Sequence, residues 1–105
     1  MTTTSALLMR LWKEHVARRY PHNRPAPELG SSDPGDLIEL DTFVAGYVSR
    51  IVDGEKLSSI DFQRLAQLSL RVRDLVEEMS GETRTYFESL AQLAETAELK
   101  LAGQM

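Results

Sequence analysis

Apolar side chains return every three or four residues in four stretches of the chain, the period of helices that bury one face. In residues 1–19, Leu7, Leu8, Leu11, Trp12 and Val16 share a face, with Ser5 as the expected N-cap. Pro21 restricts Tyr20, so this first helix is expected to run to about Arg19. Residues 33–53 open with Asp33-Pro34-Gly35-Asp36, in which Asp33 caps, Pro34 takes the first helical position and Asp36 meets the positive end of the helix dipole. The apolar set of this second helix, Leu37, Ile38, Leu40, Phe43, Val44, Tyr47, Val48, Ile51 and Val52, covers about 220° of arc. That width predicts the central, most buried element, closed by Gly54 in the left-handed conformation.

Ser58 and Asp61, spaced as in a capping box, open a third helix over 58–79, with Phe62, Leu65, Leu68, Val72, Leu75, Val76 and Met79 on one face. A fourth, over 82–102, carries Tyr86, Phe87, Leu90, Leu93, Ala94, Ala97 and Leu101, and Ala91, Ala94 and Ala97 invite a close neighbour. Ser80-Gly81 predicts a hairpin between them, because glycine costs about 1 kcal/mol inside a helix. The apolar rows nevertheless keep their angular phase through that dipeptide, interrupted only at Thr83. A single helix of about 45 residues and about 67 Å is the competing reading, and such a rod needs a dimer to cover it.

All four prolines fall between residues 21 and 34, with Gly30, Ser31, Ser32 and Gly35 among them. The expected connector over 20–32 is roughly twice the usual helix-to-helix length. The predicted fold is therefore one all-α domain over residues 1–105, a four-helix bundle-like arrangement. Its N-terminal helix is joined by the long proline-rich connector to an antiparallel three-helix unit. Such a connector also makes exchange of the first helix between two protomers feasible.

Composition narrows the function classes. Apolar residues are 42% of the 105 and charged residues 27%, which suits a globular domain. No run is long and apolar enough for a membrane span, and Arg10 and Lys13 interrupt what a secretory signal would need, so a cytoplasmic protein is expected. With no cysteine, disulfides, thiolate catalysis and thiolate zinc sites are excluded. The net charge of −4 hides an asymmetry. Residues 1–25 hold Arg10, Lys13, Arg18, Arg19 and Arg24 against Glu14 alone, so a basic head precedes an acidic body.

Three constellations could carry chemistry. His15 and Arg19 lie near the apolar line of the first helix and Asp41 lies inside the apolar arc of the second, so a buried polar cluster of His15, Arg19 and Asp41 that fixes helix register is expected. Asp74, Glu77 and Glu78 have the spacing of a magnesium site but lie on the polar face of the third helix, where a solvated charged surface is the simpler reading. The segment Arg18-Arg19-Tyr20-Pro21-His22-Asn23-Arg24 joins cations to an aromatic ring, a composition suited to phosphates and bases. No histidine-carboxylate metal motif, serine-histidine arrangement or glycine-rich phosphate loop occurs, and no cofactor is expected.

Leu70 breaks the pattern of the third helix by pointing outward, beside Ala66 and Arg73. With Asp74, Glu77 and Glu78 these form the expected partner surface, and a homodimer is one use of it. The sequence therefore predicts a non-enzymatic, acidic protein-binding module, comparable in size and charge to immunity proteins, antitoxins and adaptors, with a basic protein as partner. The alternative is a nucleic-acid-associated regulator contacting phosphates through Arg10, Lys13, Arg18, Arg19 and Arg24.

Overall fold

The computed structural model describes residues 3–19 and 34–103, which hold helices and no strand. The helices are α1 (Thr4–Ala17), α2 (Pro34–Val52), α3 (Ser59–Val76) and α4 (Gly81–Ala102), and the four pack against one another. The connector expected at 20–32, the Asp33 cap and Arg24 lie outside the described residues.

Thr3, not Ser5, caps α1, its hydroxyl accepting from the Ala6 N–H at 3.1 Å. Serine and threonine cap almost equally well, so the helix takes the earlier start and its extra backbone bonds. It also ends sooner than expected. The Arg18 N–H donates to the His15 carbonyl at 3.1 Å and Arg18 turns extended, which leaves Arg19 outside the helix. α2 starts at Pro34 as the sequence predicts and closes in a Schellman arrangement. The Gly54 N–H donates to Ile51 and the Glu55 N–H to Arg50, at 3.1 and 3.0 Å, with Gly54 at φ +86°. The contact across this motif is usually apolar; here the Arg50–Glu55 ion pair supplies it.

Ser58 caps α3 by accepting from the Asp61 N–H at 3.1 Å. The helix stops at Val76, three residues before Met79, because Glu78 and Met79 donate to Leu75 and Val76 and tighten the last turn. Met79 is still buried. Gly81 adopts φ +61°, so Ser80-Gly81 is a hairpin and the continuous rod does not form. Arg73 pairs with Glu95, Ser69 faces Glu98, and Phe62 shares a groove with Leu99 and Ala102, so α3 and α4 run in opposite directions. Arg50 reaches Asp61 at 3.7 Å while Leu40 lies beside Leu68 and Arg71, which sets α2 against α3 in the same way.

The expectation that α2 is the central element is corrected. α2 and α4 each touch all three other helices, but α4 buries the larger set, Thr83, Tyr86, Phe87, Leu90, Leu93, Ala94, Thr96, Ala97 and Leu101. The small Ala94 and Ala97, both fully buried, let the neighbours close in on more than one side. α2 buries the stripe Leu37, Leu40, Val44, Val48 and Ile51, and leaves the edges of its wide arc outside, with Ile38 and Phe43 exposed. α1 contributes the stripe Leu8, Leu11 and His15. Val16, about 100° round the helix from His15, is exposed rather than packed with that face.

Candidate functional site

The inward-facing polar groups meet where α1, α2 and α4 join. His15 is buried, and its Nε2 stands 3.2 Å from Oδ1 of Asp41. The other carboxylate oxygen, Oδ2, accepts from the Tyr86 hydroxyl at 2.8 Å. The imidazole lies between Trp12 and Tyr86, with ring centroids 6.2 and 5.3 Å away, and Tyr86 meets Phe87 edge to face. His15 Nδ1 is buried without a hydrogen-bond partner, and Nε2 and Oδ1 are close but out of line for a hydrogen bond. The cluster thus joins one side chain from each of three helices around a single carboxylate. Arg19 does not belong to it: beyond the end of α1 it is exposed, which corrects the expected third member.

An imidazole and a carboxylate are the ingredients of acid–base chemistry, but a reacting atom must come within about 3 Å of both. The grooves between α2 and α3 and between α3 and α4 are lined by other residues. The cluster links α1, α2 and α4 through these contacts, and Tyr86 is the member that the wheel assigned to the apolar core rather than to the polar set.

The carboxylates form a separate surface. Asp74, Glu77, Glu78 and Glu88 are exposed, while Glu95 and Glu98 are half-buried. Glu77, Glu88 and Glu95 border an open groove of about 300 Å³ between α3 and α4, floored by Val76 and Ala91. Two cations offset part of this charge, Arg73 pairing with Glu95 and Arg84 with Glu88 at 3.4 Å. Burial pushes the Glu98 carboxyl above the ordinary glutamate value, against the Ser69 hydroxyl and the Arg73 guanidinium, which pull it down. Among the described residues, no group of three or more histidine, aspartate or glutamate side chains is gathered closely enough to hold a metal ion.

Ala66, Leu70, Arg73 and Glu77 follow one stripe of α3 by their spacing. Leu70 is 57% exposed and Ala66 half-buried, and Arg73 reaches across to α4. On α1, Arg10 pairs loosely with Glu14 at 3.9 Å and Lys13 is exposed, as are Arg18 and Arg19 past the helix end. Two buried hydroxyls had no counterpart among the expected site residues. Thr83, the one gap in the apolar row, is fully buried with its hydroxyl unpartnered, and Ser69, at 1% exposure, turns its hydroxyl toward Glu98 without the alignment of a full hydrogen bond. No helix of the described residues is long and apolar enough to cross a membrane. Comparison of the chain with family models, characterised proteins and solved structures gives no match.

Proposed function

We propose that this chain is a non-enzymatic protein-binding module that docks and masks a basic partner through the acidic face of α3 and α4, as immunity proteins, antitoxins and adaptors do. The observation that supports this best is the α3–α4 groove, in which Glu77, Glu88 and Glu95 stand around an apolar floor of Val76 and Ala91. An apolar centre with a charged rim suits a protein interface. Glu88 and Glu95 are already engaged by arginines, so Asp74 and Glu77, which have no ion-pair partner among the described residues, are the carboxylates that would meet the partner's cations. On this reading residues 1–105 form one domain with 20–32 as its connector, working in the cytoplasm without a cofactor.

Affinity capture with the wild type and with a Asp74→Lys/Glu77→Lys variant tests the reading. The wild type should retain a basic protein at about 50 mM salt and release it near 500 mM, since exposed charges beyond a Debye length are screened. The variant should lose it. Equal capture by both, or a partner indifferent to salt, would defeat the proposal.

A second reading has its own observation. Lys13 on α1 and Arg18 and Arg19 just beyond its end have no ion-pair partner among the described residues, which suits a nucleic-acid phosphate backbone. Gel-shift titration with DNA and RNA at low salt should then show binding, with a flatter salt dependence in an Arg18→Ala/Arg19→Ala/Arg24→Ala variant. Absence of any shift ends that alternative.

A further inference from the structure

The opposite side of α3 carries a groove that the proposed acidic face does not use. Between α2 and α3 an open depression of about 420 Å³ has Phe43, Tyr47 and Leu68 along its length, and it continues past Leu68 toward Asp36, Glu39 and Arg71. Phe43, at 56% exposure, is the largest apolar side chain so exposed among the described residues. A phenylalanine left half in water beside a tyrosine and a leucine gains by further burial.

The charges around this groove are sorted by wall. α2 contributes Asp36 and Glu39, and α3 contributes Arg71 at the same end and Arg64 at the other. None of the four has an ion-pair partner among the described residues, whereas Arg73 and Arg84, the other arginines of α3 and α4, are both paired.

An acidic wall facing a basic wall is complementary to itself under one particular symmetry. A two-fold axis lying along the groove turns a second copy over so that its α3 covers the first copy's α2, with positions along the groove conserved. Asp36 and Glu39 then meet the second copy's Arg71, and the reciprocal contact forms at the same level. Arg64 comes over the second copy's Tyr47, where a guanidinium on a ring face is favourable. Phe43 of each copy enters the other's groove. An axis across the groove would instead reverse the second copy end for end and set its Arg71 over Arg64, cation on cation, so the charges select one arrangement.

We propose that the α2–α3 groove binds a second copy of this chain in an isologous dimer with that axis. The dimer leaves both α3–α4 faces outward, so it stands or falls separately from the partner proposed above.

Solution mass by light scattering tests it on the full chain. The wild type should give about twice the 11.8 kDa chain mass at concentrations on the order of 100 µM, and Phe43→Asp should give the single-chain mass with an unchanged helical spectrum. Leu70→Asp, on a different stripe of α3, should leave the dimer intact. The decisive arm uses Glu39→Arg and Arg71→Glu. Each alone sets like charges against each other at both contacts and should weaken association roughly tenfold or more. Mixed in equal amounts, the two variants restore opposite charges at both contacts and should associate as the wild type does. A wild type that stays single at this concentration, a mixture that fails to associate, or a dimer lost through Leu70→Asp but not Phe43→Asp would overturn the proposal.

Discussion

Asp41 accepts the Tyr86 hydroxyl on one oxygen and faces the His15 imidazole with the other, so truncating it orphans two buried groups at once. Asp41→Ala should lower unfolding stability by about 1–3 kcal/mol, and Tyr86→Phe, which removes a single bond, by about 1 kcal/mol, both read from denaturant midpoints. Glu98 gives the opposite kind of effect. Its carboxyl is pushed up by burial, so the folded state takes its proton more readily than the unfolded chain does. The resulting contribution to stability is fully present below the ordinary glutamate value near 4.5 and is lost as pH rises through the elevated one. Glu98→Gln should therefore be more stable than the wild type at neutral pH, with the difference shrinking as the solution is acidified toward pH 4.5. The pairing of His15 with Asp41 was legible because both broke an apolar face at a helical position. Tyr86 was not, because a phenol satisfies the apolar pattern with its ring and reveals its hydroxyl only in three dimensions.

At the level of helices and turns, two glycines make opposite demands. Gly54 holds φ +86° with open space where a Cβ would stand, so Gly54→Ala meets no neighbour and loses only backbone energy, about 1 kcal/mol. Gly46 sits in the middle of α2, also with open space around it, and Gly46→Ala should stabilise by about 0.5–1 kcal/mol. Thermal melts of the pair should move in opposite directions. Turn chemistry was the most readable part of the sequence: Pro34, Gly54, Ser58 and Gly81 each act at a boundary through local geometry that needs no tertiary partner. The competing start at Ser5 and the early ends at Ala17 and Val76 show what local signals leave open, since neighbouring caps differ by less than the packing that chooses between them. The wide arc of α2 misled for a related reason. A helix wheel records which side chains are apolar but not how many partners are available, and Ile38 and Phe43 stay about half exposed among the described residues.

Over the whole molecule, the order of burial follows α4, whose alanines and one fully buried threonine looked less hydrophobic than the α2 arc yet let three helices gather round it. Leu90→Ala, removing a fully buried side chain from this centre, should cost about 2–5 kcal/mol. Because α1 rests on α4, the single tryptophan, Trp12, should report the same transition as the helical signal. Coincident fluorescence and circular-dichroism curves in denaturant would bear this out; an earlier fluorescence change would mean that α1 detaches first. The position of α4 in the chain also bears on biosynthesis. The ribosome releases it after the other three helices, so a nascent chain carries Leu8, Val44 and Leu65 with their oily surfaces unmatched until the hub has emerged from the exit tunnel. Stable tertiary structure is thereby postponed until α4 has been made, and the waiting intermediate is the form that chaperones would have to shelter.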